Sequence, residues 1–181
     1  SGKSETFEQI WTHQGIVVAK NGQRGLVMRW VAHRPSNELR PLINLATAKD
    51  VESCFGNLEG FKAPAQNFIC MDRDSIGIRQ NGEMPRKRFG QGIFILDGSQ
   101  KENDWSEYLS FNDLPQTMNP QKGFVFSANQ DPTDKKIRYY LGRSFDDHHR
   151  ASRIYEQLEK REERKNSMEG KTLPHGGRRS R

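Results

Sequence analysis

Apolar residues in this chain come in short runs, each stopped by turn formers. That pattern limits most of the fold to short antiparallel strands joined by tight turns. The stretch from Thr6 to Ala19 is rich in β-branched and aromatic residues and reads as one strand broken near Gly15, or as a pair. Asn21-Gly22 marks a tight turn, and Gly25 to Ala32 reads as the returning strand. Gln66 to Asp72 and Ile76 to Gln80 form a second hairpin around Asp72-Arg-Asp-Ser75, closed by Asn81-Gly82. Residues 84 to 122 hold Pro85, Pro115 and Pro120 and read as long loops with a short strand at Ile93–Leu96. Gly123 to Ala128 is expected to be a further strand, ending at Asn129.

Two segments follow a helical period instead. After a connection bracketed by Pro35 and Pro41, Thr47 and Asp50 set an N-terminal cap. Val51, Cys54 and Phe55 then fall on one face, and Gly56 stops the helix. The second helix is signalled by Ser144 with Asp147, and its apolar stripe is Ala151, Ile154, Tyr155 and Leu158. From Glu159 the stripe dissolves into charge. The reading is an α+β domain over residues 1–158 and a charged, disordered tail over residues 159–181.

The charge sits mainly in that tail. The formal net charge is +6. Residues 159–181 hold eight Lys/Arg and four Asp/Glu, a net +4, which leaves +2 for the rest. A nearly balanced folded part lacks the basic face of a nucleic-acid module, so no nucleic acid is expected as a partner. The two cysteines, Cys54 and Cys70, have no metal-ligand spacing and read as buried thiols among apolar neighbours. No apolar run reaches the ~18 residues of a membrane span, and the first residues lack the layout of a signal peptide.

Three segments, in this order, carry a resemblance. They are Ala65-Gln-Asn-Phe-Ile-Cys-Met-Asp-Arg-Asp-Ser-Ile-Gly77, Asn119-Pro-Gln-Lys-Gly-Phe-Val-Phe-Ser-Ala-Asn129 and His149-Arg-Ala-Ser-Arg-Ile-Tyr-Glu-Gln-Leu158. Together with Trp11-Thr-His-Gln-Gly15 they resemble the β-subunit of the penicillin amidase family of N-terminal nucleophile hydrolases. The match runs over about residues 10 to 165, and the order and spacing of the motifs make it specific. The resemblance implies part of an αββα sandwich of antiparallel strands between helical layers. It implies hydrolysis of linear amides, of the penicillin, cephalosporin or N-acyl amide type, through an acyl-serine. A role in antibiotic biosynthesis and a periplasmic or otherwise extracytoplasmic setting belong to the same implication. So do a small-molecule amide substrate and the remainder of an α/β-subunit assembly as partners. No cofactor is expected in this chain. Calcium, often held by the family, is possible in the parent protein, but no residue here matches its ligands.

In the family an N-terminal serine attacks the amide carbonyl, with its own α-amino group as base. A backbone N–H and an Asn carboxamide stabilise the oxyanion. The matching Asn is Asn129, and Arg150 is the matching helix-borne Arg that would orient it, or a substrate carbonyl. On pattern alone, Asn129 reads as a residue turning the chain before Pro132, and Arg150 as a boundary side chain reaching solvent. The resemblance turns both into catalytic candidates.

Other polar residues read as structural. Asp72 and Asp74 form a turn, because the glycine and glutamate of a calcium loop are missing. His148 and His149 diverge on the helix, His13 reads as a hydrogen-bonder, and Asn67 as a strand residue with a packing or hydrogen-bonding role. Ser1 is followed by Gly2-Lys3 rather than Asn-x-Trp and is rejected as nucleophile. The chain alone is therefore expected to be inactive. Past Asn166-Ser-Met-Glu-Gly170 the family continues in helix, whereas this chain turns to Lys171-Thr-Leu-Pro-His-Gly-Gly-Arg-Arg179. A truncated or frame-shifted reading of a longer gene is the expectation there. The rival reading is a non-catalytic binding domain that shares only descent with the family.

Overall fold

A computed structural model describes residues 2–133 and 139–169. The Trp11–Gly15 stretch resolves as a pair: β1 (Trp11–Thr12) turns back into β2 (Gly15–Asn21), which pairs with β3 (Arg24–Met28) through the Asn21-Gly22 turn. All pairings in this first sheet are antiparallel. A short 3₁₀ turn at Val31–His33 ends β3 earlier than the apolar pattern implies. Helix α1 (Leu39–Leu45) occupies what reads in sequence as a proline-bracketed connection. Pro41 sits in its first turn, where a missing N–H costs nothing.

The second sheet, in the order β4 (Gln66–Met71), β5 (Ile76–Asn81), β6 (Gln116–Met118), is the structural centre. Helix α2 (Val51–Asn57) lies across it and buries Val51 and Phe55. Its start is a reciprocal cap: Ser53 N donates to Asp50 Oδ1 at 2.7 Å, and Asp50 N donates to Ser53 Oγ at 3.1 Å. Gly77 permits the close approach, because a Cβ there would stand 2.7 Å from the Phe55 ring. Arg79, only 2% exposed, ties the sheet together. Its guanidinium donates to Gln116 Oε1 at 2.5 Å and to the Phe111 carbonyl.

Cys54 and Cys70 are not free thiols; they form a disulfide from α2 to β4 with Cα atoms 6.5 Å apart. Packing of the helix on the hairpin brings together two positions that sequence spacing leaves unrelated.

Three further expectations are corrected. Ile93–Leu96 is not a strand; Gln91 and Phe94 make one isolated bridge. Gly123–Ala128 pairs with no strand either. Its aromatic residues turn to the last helix instead: Phe124 and Phe126 lie 5.5 and 6.3 Å from the Tyr155 ring. That helix, α3, runs His148–Glu169, so residues 159–169 are helix rather than disordered tail. Glu, Lys and Arg are strong helix formers, and pairs such as Arg153 with Glu156 at 3.3 Å support the exposed face. Residues 170–181 lie outside the described residues. The observed class is α+β, with two small antiparallel sheets and three α-helices among the described residues.

Asp72 links cap, turn and strand. Its carboxylate accepts N–H bonds from Asp74 at 2.8 Å, Val51 at 2.9 Å and Ser75 at 2.8 Å. These bonds, that from Asp74 foremost, hold its pKa below the ordinary 3.8. A depressed carboxylate contributes stability that is present above its unfolded pKa and is lost as pH falls through the folded one. Thermal melts between about pH 6 and about pH 2 should therefore show an acid-side loss of stability that Asp72→Asn makes shallower.

Candidate active site

The segment from Gly123 to Asn129 is anchored at both ends of its length. Phe124 and Ala128 are buried, and Lys122 Nζ sits 5.0 to 5.5 Å from the rings of Phe124, Phe126 and Tyr155. From the sheet side, Asn67 Nδ2 on β4 donates to Ser127 Oγ at 2.7 Å. Asn67 thus has the hydrogen-bonding role expected of it, and that bond joins the second sheet to the segment carrying Asn129. Asn129 itself has φ 61, a left-handed conformation that Asn tolerates better than most residues.

The two sequence candidates meet. Arg150 Nη2 donates to Asn129 Oδ1 at 3.3 Å. The same guanidinium pairs through Nη1 with Asp146 Oδ2, and Asp146 N donates to the Asn129 backbone carbonyl at 2.9 Å. Asp146 therefore holds both partners, one through its backbone and one through its carboxylate. Sequence reading missed it. Its signal was an acid four residues before Arg150, the spacing of a helical ion pair.

Chemistry decides the orientation of the Asn129 carboxamide. A guanidinium has donors and no acceptor, so the carboxamide oxygen must face Arg150. The Nδ2 donors then point away from it, with no acceptor among the described residues. Asn129 borders an open cleft of about 430 Å³ that is also lined by Asn67, Gln80, Ser127, Gln130 and Phe145. Asn129 and Arg150 are both exposed. The arrangement is a fixed, outward-facing N–H donor backed by a cation.

The remaining candidates stay apart from this cleft. His13 Nε2 stands 3.6 Å from Asp104 Oδ1 beside the first sheet. His148 and His149 open α3, and Asp72 serves the α2 cap. Among the described residues no three His, Cys, Asp or Glu side chains converge as metal ligands. No helix among them is long and apolar enough to cross a membrane.

The family model of penicillin amidase matches residues 1–173. The chain belongs to the penicillin amidase family. Curated relatives are similar at low identity. An acyl-homoserine lactone acylase QuiP of Pseudomonas putida is 30% identical over 121 residues, covering 66% of this chain and 15% of the relative. The protein of the same name from Pseudomonas aeruginosa is 26% identical over 130 residues, covering 72% and 15%. That of Pseudomonas fluorescens is 25% identical over 130 residues, covering 72% and 16%. This penicillin-amidase-family chain thus spans about a sixth of the length of the relatives it matches. The similarity establishes membership in the penicillin amidase family.

Proposed function

We propose that this chain forms the oxyanion-binding part of a hydrolase that cleaves linear N-acyl amides through an acyl-serine intermediate. The nucleophilic serine lies outside this chain. In this reading the serine Oγ bonds to the carbonyl carbon, and the carbonyl electron pair moves to oxygen. The proton passes through the α-amino group to the leaving amine. Water then releases the acyl group as a carboxylic acid. Asn129 Nδ2 donates to the oxyanion. Arg150 is a positioning residue, holding the carboxamide oxygen so that the N–H edge faces the reacting carbonyl. The single observation carrying this reading is the Arg150–Asn129 hydrogen bond at 3.3 Å, because it orients the donor that the chemistry needs.

The two three-stranded sheets and the helices would be pieces of an αββα sandwich completed by the rest of the parent. The names of the relatives favour N-acyl homoserine lactones as the amide class tested first. The disulfide supports an extracytoplasmic setting, where such bonds persist.

The test is release of free amine from N-octanoyl homoserine lactone by the intact polypeptide. Arg150→Gln keeps polarity but shortens the side chain and loses the charge and the forked donor. It is expected to lower kcat about tenfold and leave KM near its original value, as for an interaction felt mainly in the transition state. An unchanged kcat would dismiss the positioning role, and failure of the parent to release amine from any linear amide would dismiss the activity.

A further inference from the structure

A second cleft lies on the first sheet, away from Asn129 and sharing no lining residue with its cleft. Its volume is about 420 Å³, within the roughly 300–1,000 Å³ usual for small-molecule sites. One end is cationic. Arg29 and Lys87 both approach the Trp105 ring, at 5.1 and 5.6 Å from its centre. Arg29 is already paired, donating to Asp104 Oδ1 at 3.1 Å. Lys87 is half-buried, and among the described residues no carboxylate lies within ion-pair distance of it. Burial holds its ammonium below the ordinary lysine pKa, the mark of a cation lacking compensation.

The approach to that ammonium is open. Gly92 (φ 92) faces it, and a Cβ there would come 3.9 Å from Lys87 Nζ. Nearby, buried Gln91 accepts from Arg88 N through Oε1 at 2.8 Å, which leaves its Nε2 as a further donor. The other end is apolar. Phe94 and Ile95 are 75% and 82% exposed and wall the cleft together with Leu26 and Leu96. A cation with no anion at one end, and apolar side chains still in water at the other, match one ligand chemistry. That ligand carries a single carboxylate and a medium-length alkyl chain.

We propose that the Lys87–Trp105 cleft binds an alkyl carboxylate, with the carboxylate on Lys87 and the chain along Ile93–Leu96. The site is separate from the amide-cleaving reading and stands or falls without it. Binding would place a carboxylate against Lys87, raise the lysine pKa and cover the exposed apolar wall.

The 181-residue chain is titrated with sodium octanoate and, separately, with octan-1-ol, followed by calorimetry and by NMR of the Trp105 indole N–H and the Gly92 amide. Octanoate is expected to shift both resonances saturably. Lys87→Gln should weaken it about tenfold or more, as loss of a charge-assisted bond does. Lys87→Glu should weaken it further, while octan-1-ol should bind weakly and equally to all three proteins. Lys49→Gln, which removes an exposed cation just before α2 that does not line this cleft, should leave octanoate binding unchanged. Equal affinity of Lys87→Gln and the unaltered chain would overturn the proposal. So would octanoate shifts confined to residues outside this cleft, or no saturable binding at all.

Discussion

Asn129→Ala in the intact parent polypeptide is expected to lower kcat for amide hydrolysis by ~10²–10³, the usual cost of one oxyanion donor. KM should change little, because a planar carbonyl asks less of that donor than the charged oxygen of the tetrahedral intermediate. The backbone complicates this variant. Position 129 has φ 61, and alanine there adds a strain of ~1 kcal/mol or more that asparagine partly evades. Asn129→Gly separates the two effects, since glycine removes the carboxamide while accepting the conformation. Both variants should lose activity to a similar extent, and only the alanine variant should melt earlier. Asn129→Asp should be at least as inactive, because it replaces two N–H donors with a carboxylate that Arg150 would hold facing the oxyanion. Turnover within about twofold of the original in the glycine variant would end the oxyanion assignment, because no lost donor is that mild.

Loss of the disulfide is the second large effect. The cysteines are 16 residues apart in sequence, and a cross-link closing a loop of that size stabilises by ~3 kcal/mol, largely through the unfolded chain. Cys54→Ala with Cys70→Ala should therefore lower the midpoint of thermal unfolding by roughly 6–12 °C for a chain of this length. Both positions belong to the α2–β4 contact that buries Val51 and Phe55, so the loss is felt at the centre of the second sheet. Reductant should lower the melting point of the unaltered protein and leave the double variant unmoved. A melt indifferent to reductant would show that the two sulfurs are not joined in solution.

Local signals in this chain were legible wherever neighbouring residues decide the outcome. Asn21-Gly22 and Asp72–Ser75 determined their hairpins because turn chemistry is a property of a few adjacent residues. Asp50 determined the start of α2 for the same reason. The β6 strand was illegible, because Gln116–Met118 has no apolar alternation and exists only by pairing along β5. Gly123–Ala128 misled in the opposite sense. It carries a strand's residue types, but its Phe side chains find Tyr155 on α3 before its backbone finds a neighbouring strand. The α3 extension past Leu158 was missed because a helix on a solvated face needs propensity and charge pairing rather than an apolar stripe.

At the candidate site the division follows the same line. Sequence alone singled out Asn129 and Arg150, through motif order in a known family. It could not supply Asp146, which holds one partner by its backbone and the other by its carboxylate. Nor could it foresee that Asn129 would sit in a left-handed turn, on a segment tethered by Asn67 at Ser127, rather than at the end of a strand. The chain's own order determined its turns, its helix starts and the identity of the polar candidates. Tertiary packing decided which of them touch, because a contact between residues 129 and 150 depends on where Phe124, Phe126 and Tyr155 bring their rings together, and no local pattern encodes that.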